Sequence, residues 1–228
     1  MIRPLLILRP LAGALQTERR AKDLGLETVV DPLFTVEPIA WTGPAAEDYD
    51  ALLLTSANAV KYGGAQLDHY RSLPVLAVGE KTATAAKNAG WDLAETGVSS
   101  GQHLLDQLVA GRYRHILWLA GEQHSALDAG ERELDTVPVY RSKAIALGDR
   151  AIACLQTETM ILIHSARAAR QLVSELDRLH IERGRHHAMV FSAKVAEAAG
   201  QGWRSLSTAD RPDDDALLSL ATGLCQRQ

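Results

Sequence analysis

Hydroxyls, small residues and an occasional cation recur at six places in the 228-residue chain, each at the end of a short apolar run. The places are Arg9-Pro10, Thr55-Ser56-Ala57-Asn58, Gly79-Glu80-Lys81-Thr82, Gly121-Glu122, His164-Ser165-Ala166-Arg167 and Ser192-Ala193-Lys194. If each run is a strand and each following stretch opens a helix, the chemistry is anion binding. Small residues let a ligand approach the backbone, and the free N–H groups of a first helical turn take carboxylate or phosphate. Arg9, Lys81 and Lys194 add charge, while Thr55, Ser56, Asn58, Thr82, Ser165 and Ser192 add donors. Ala57, Gly79 and Ala166 leave room. A plainer reading stands beside this one. Ser56 and Ser165 suit helix N-caps, and Lys81 and Lys194 suit solvated surface.

Other chemistries lack their residues. His186-His187 point apart on a strand or a helix, and the histidines form no HxH or HxxxH pair, so no metal site is expected. His164-Ser165 lacks a nucleophile elbow, and Gly79-Glu80-Lys81-Thr82 lacks the upstream glycines of a phosphate loop. No GxGxxG follows a strand-like run, so a dinucleotide is not indicated and no cofactor is expected.

The elements that must position these residues are legible as runs. Leu5-Leu6-Ile7-Leu8, Ala51-Leu52-Leu53-Leu54, Val75-Leu76-Ala77-Val78, Ile116-Leu117-Trp118-Leu119, Met160-Ile161-Leu162-Ile163 and Ala188-Met189-Val190-Phe191 read as strands buried on both faces. Between them lie helical periods. Ala169, Leu172, Val173, Leu176 and Leu179 share one stripe, and a second helix over Asp213 to Leu224 opens with Pro212 and three aspartates. Alternation of this kind predicts an α/β fold with parallel sheets.

The pattern also repeats. Ala51 to Val60 matches Met160 to Ala169, and Val78-Gly79-Glu80-Lys81 matches Phe191-Ser192-Ala193-Lys194, which sets a period of about 110 residues. Leu6-Ile7-Leu8 comes first in the chain, yet its counterpart Leu117-Trp118-Leu119 comes last in its copy. That phase assigns the N-terminal unit to the C-terminal copy. The expectation is two similar domains, 1–31 plus 144–228 and an inserted 37–138, joined by a two-stranded linker at 32–36 and 139–143. A ligand cleft between them, able to open and close, is expected.

Bulk properties narrow the class. The net charge of −4 and the absence of a basic cluster argue against nucleic acid. No stretch approaches the roughly 18 apolar residues of a membrane span. Cys154 and Cys225 form no CxxC pair, and the first ten residues lack the form of a signal peptide, so a cytoplasmic protein is expected. Nothing argues against a monomer.

Read together, certain residues resemble the uroporphyrinogen-III synthase family. They are Ile7-Leu8-Arg9-Pro10, Leu24-Gly25, Asp31-Pro32-Leu33-Phe34, Tyr49 to Val60, Ala77 to Ala83, Val137-Pro138-Val139-Tyr140, and Ala209-Asp210-Arg211-Pro212 with Leu217-Leu218. The resemblance implies cofactor-free cyclisation of hydroxymethylbilane, a polycarboxylate, with loss of water and inversion of ring D through a spiro intermediate. It also implies that Tyr140 acts as an acid toward the departing hydroxyl, and that Thr55, Ser56, Thr82, Ser165 and Ser192 line the substrate cleft. The chain departs from the family pattern at His164, where threonine is commoner, at Ser192-Ala193-Lys194-Val195, and at His124, where arginine is commoner. The alternative function is a non-catalytic two-domain protein that binds a small polyanion.

Overall fold

The computed structural model describes residues 3–225. In chain order the elements are β1 (Leu5–Ile7), α1 (Leu11–Asp23), β2 (Thr28–Val30), β3 (Phe34–Pro38), β4 (Ala51–Leu54), α2 (Ala57–Tyr62), β5 (Val75–Val78), α3 (Glu80–Asn88), β6 (Leu93–Gly97) and α4 (Gly101–Gln107). They continue as β7 (His115–Gly121), β8 (Glu133–Ala144), α5 (Asp149–Cys154), β9 (Met160–Ile163), α6 (Ala166–Arg178), β10 (His187–Val190), α7 (Ala193–Ala199), β11 (Ser205–Thr208) and α8 (Asp214–Cys225). Each of the six apolar runs forms or overlaps a strand.

Contacts divide the chain into two compact units, Met1–Thr35 with Ala144–Gln228, and Val36–Lys143. The first holds a five-stranded sheet of order β11-β10-β9-β1-β2, and its strand pairs are parallel. The N-terminal strand thus lies inside the C-terminal sheet. The other sheet has the order β3-β8-β7-β4-β5-β6, parallel from β8 to β6. Strand β3 runs antiparallel to β8, because Ile39 N donates to Val139 O while Ile145 N donates to Leu33 O. Both divisions of the chain fall within this strand pair.

Why the central strands are mainly apolar follows from the covering helices. In the first sheet Leu6, Leu8, Ile161, Ile163, Ala188 and Val190 pack on one side with Ala169, Leu172 and Leu176 of α6. Their neighbours Leu5, Ile7, Met160, Leu162 and Met189 pack on the other with Ala14 and Ala21 of α1 and Leu217, Leu218 and Ala221 of α8. The second sheet repeats the plan. Leu52, Leu54, Val75, Ala77, Leu117 and Leu119 meet Ala59, Ala83 and Ala86 of α2 and α3, and the alternate residues meet Leu104 and Leu105 of α4. Successive side chains of a strand point to opposite faces, so two covered faces favour an apolar residue at every position; His187 at the start of β10 is buried with Ser205 and Glu158 as partners. Among the described residues, no helix is long and apolar enough to cross a membrane.

Candidate active site

Parallel strands place their carboxyl ends along one edge of each sheet, and ligands of such sheets bind at that edge. In the second unit, β4 pairs with both β5 and β7, so Thr55, Gly79 and Gly121 end or follow three neighbouring strands. Ser56 caps α2, its hydroxyl accepting from Asn58 N at 3.2 Å. Ala57 and Asn58 open that helix, half-buried. Gly79 precedes α3 with φ +80, and nothing lies within 4 Å of the Cβ it lacks. A side chain would strain the backbone there and close the open space. Lys81 is exposed, whereas Thr82 turns inward and is 4% exposed, so these neighbours serve opposite sides of α3.

Tyr140 reaches this edge through an irregularity. The β7–β8 register pairs Ala120 with Pro138 but Gly121 with Tyr140, so Val139 is an extra residue in β8. A bulge re-aims the side chain that follows it. Val139 goes into the core and Tyr140 lies across Gly121, where a Cβ would stand 2.8 Å from the ring and 3.0 Å from its hydroxyl. Glycine is required because the tyrosine occupies that space. Beside it, Trp118 Nε1 donates to Thr55 Oγ1 at 3.1 Å, which leaves the threonine hydroxyl its own proton to give. The His124 ring meets Trp118 edge-on at 4.8 Å, and its Nδ1 lies 2.8 Å from Gly121 O.

In the first unit, Arg9, Ser165 and Ser192 follow three adjacent strands, β1, β9 and β10. Ser165 caps α6 by accepting from Ala168 N at 3.1 Å, and Ala166 is its first helical residue. Ser192 precedes α7 without a side-chain cap bond, and Lys194 is exposed. Arg9 is not free for an anion on every side. Its Nη1 donates to both Asp214 oxygens at 2.7 and 2.9 Å, and Thr17 Oγ1 donates to the same carboxylate at 2.6 Å. His164 Nε2 lies 3.2 Å from Asp214 Oδ1. Burial works to raise the Asp214 carboxyl, but the bonds from His164 and Thr17 and the Arg9 charge hold it at about 2. Burial lowers His164 against the pull of Asp214. Arg9 therefore belongs to a network tying α1, β9 and α8 together. Among the described residues no three His, Cys, Asp or Glu side chains converge as metal ligands.

A family model described as uroporphyrinogen-III synthase HemD matches residues 16–219. The chain belongs to the uroporphyrinogen-III synthase family. A search of curated proteins gave no significant match. Among solved structures, the uroporphyrinogen-III synthetase of Helicobacter pylori is similar with a TM-score of 0.65 and 16% identity, covering 97% of this chain and 99% of that one. A mutant uroporphyrinogen III synthase from the extremely thermophilic bacterium Thermus thermophilus follows with a TM-score of 0.53 and 17% identity, covering 98% and 99%. At such identities the likeness carries the fold, and the family match carries the class. Uroporphyrinogen-III synthases are cyclising lyases of haem biosynthesis.

For a synthase of this kind, sequence reasoning passed over several residues that shape the edge. Gly121 was visible only as a small residue, and its need appears once the bulge brings Tyr140 onto it. Trp118 reads as core in an apolar run, yet its indole N–H orients Thr55. Asp214 was one of three aspartates at a helix start. A buried partner for Arg9 could have been sought there, but nothing local distinguishes it from Asp213, which instead accepts from Ala216 N at 2.8 Å.

Proposed function

We propose that this chain closes hydroxymethylbilane to uroporphyrinogen III without a cofactor, as a cytoplasmic monomer. What supports this reading most is the family match across residues 16–219. The carboxyl edge of each sheet agrees with it. Each edge offers helix starts and hydroxyls, Thr55, Ser56 and Asn58 in one unit and Ser165 and Ser192 in the other, together with the backbone opening at Gly79. These are receptors for the carboxylates of a tetrapyrrole chain, assisted by Lys81 and Lys194, while Arg9 and Thr82 act mainly from behind. Cys154 and Cys225 are unpaired thiols, as a reducing compartment allows.

On this reading the edges do most of their work by shape. The substrate is flexible, and closure with inversion needs its first and last rings brought together, so holding one cyclisable conformation removes much of the entropic barrier. Tyr140 donates a hydrogen bond to the departing hydroxyl and marks where the hydroxymethyl group rests. The test is to supply freshly generated hydroxymethylbilane and separate the oxidised isomers. Type III product in proportion to added protein is expected, and type I alone, the product of spontaneous closure, overturns the reading. Tyr140→Phe should lower kcat by about tenfold or more with little change in KM.

A further inference from the structure

Loss of the hydroxyl requires a proton, and a phenol with a pKa near 10 yields one poorly at neutral pH. Imidazole is the side chain whose ordinary titration falls in the neutral range. Among the described residues, a histidine stands at the same strand end as Tyr140. We propose that His124 is the general acid of the cyclisation, its Nε2 giving the proton that carries the hydroxyl away as water. The inference rests on the synthase reading above and names a catalytic group for it.

The geometry fixes how the ring is used. Gly121 O can only accept, so His124 Nδ1, 2.8 Å away, carries a proton and donates it. Nε2 faces outward, with no hydrogen-bond partner among the described residues. The ring is also held edge-on against Trp118 at 4.8 Å, the same indole that orients Thr55. Its loop is pinned further along, where Gln102 Nε2 donates to Asp128 O at 2.9 Å and Asp128 N donates to Gln102 Oε1 at 2.8 Å. Gly121 is the shared anchor. His124 bonds its carbonyl, Tyr140 covers its Cα, and Glu122 N donates to Tyr140 O at 2.8 Å. Glu122 and Tyr140 are the titratable residues on the Gly121 turn that holds the imidazole.

The step balances without a redox partner. The hydroxymethyl C–O bond breaks with both electrons going to oxygen, which takes the Nε2 proton and leaves as water. The pyrrole nitrogen pair replaces those electrons and, its N–H kept, forms the azafulvenium cation. Carbon–carbon bond formation at ring D and rearrangement of the spiro intermediate follow. The final closure expels a proton from the ring carbon, which returns to Nε2. Tyr140 bonds the leaving oxygen, and His124 supplies the proton.

The test compares type III formation by the whole protein and its His124→Gln variant between pH 6 and 9, with circular dichroism to confirm folding. Glutamine retains an N–H for Gly121 O. Expected are a kcat loss of about 10²-fold, KM within about twofold, and loss of the wild-type decline in kcat with rising pH. In His124→Ala, added imidazole should restore part of kcat. Undiminished kcat, a change confined to KM, or a slow variant that keeps the wild-type pH profile and is not rescued overturns the assignment. If the wild-type chain itself makes no type III isomer, the synthase reading has failed first, and that arm shows it before any variant is compared.

Discussion

One side chain at the second sheet's edge is placed by what its neighbour lacks. Tyr140 lies where it does because Val139 is the extra residue of a bulge and because Gly121 has no Cβ. Gly121→Ala would set a methyl 2.8 Å from the tyrosine ring, closer than carbon atoms pack. The strand backbone is buried and cannot retreat, so the ring must move and draw its hydroxyl from the site. We expect Gly121→Ala to remain folded and to lose about tenfold or more in kcat, at least as much as Tyr140→Phe, because it disturbs Tyr140 and the carbonyl that holds His124 together. Isomer-resolved kinetics on the two variants check this. A fully active Gly121→Ala would mean that the tyrosine position is immaterial to turnover. Arg9 makes the opposite point. It stands after a strand, where ligand contacts are expected, and its Nη1 also donates to a half-buried carboxylate contributed by a helix 205 residues away.

At the scale of elements, the repeated Ser-Ala text forms the same device twice. Ser56 and Ser165 have extended backbone, at φ −153 and −154, and each hydroxyl accepts a first-turn N–H. Replacing either by alanine leaves that donor without its partner at a helix start. Ser165→Ala should cost about 1 kcal/mol of stability and Ser56→Ala a similar amount, read from urea unfolding. If the hydroxyls also bind substrate, KM rises in addition, and with capping alone KM stays put. The double-sided strands were legible because their alternation is absent. Leu52 and Leu53 face different cores, so both must be apolar. Strands β2, β6 and β11 were not recovered from the text. They lie at sheet edges, and β2 and β6 are largely half-buried while β11 alternates half-buried and exposed, so Thr28, Glu95 or Ser205 is tolerated and the apolar signal thins. Helix α6 hides one more departure. Glu175 lies inside its apolar stripe, where its carboxylate takes Leu147 N at 3.0 Å and Arg178 at 2.7 Å. Periodicity ranks residues by polarity and is blind to a partner that arrives from elsewhere in the chain.

For the molecule as a whole, buried ionisable groups set the response to acid, and most of them belong to the first unit. His186 is fully buried, and neither ring nitrogen has a partner among the described residues. Burial, with the charges of Arg185 and His187, pushes its pKa down to about 4. The unfolded chain binds this proton near pH 6.5 and the native one does not, so stability is complete above that pH and declines as pH falls toward 4. The full decline from this one side chain is about 3 kcal/mol. His164, lowered by burial, adds in the same direction. A second stage comes lower. Asp214 is held at about 2 against an ordinary value near 3.9, so its contribution persists above that value and is lost as pH falls through it, joined by the lowered Glu158 and Glu175. Urea unfolding at pH 7.5 and at pH 5 should therefore show a clear loss in the acid sample, although Asp214, Glu158 and Glu175, all held low, keep their charge there. His186→Phe keeps a ring of similar size without a titrating nitrogen. In that variant most of the difference between the two pH values should disappear, leaving the smaller share of His164. A wild-type stability unchanged between pH 7.5 and 5 would mean that the native chain accommodates the His186 proton, which a ring sealed from water and without an acceptor cannot do without opening.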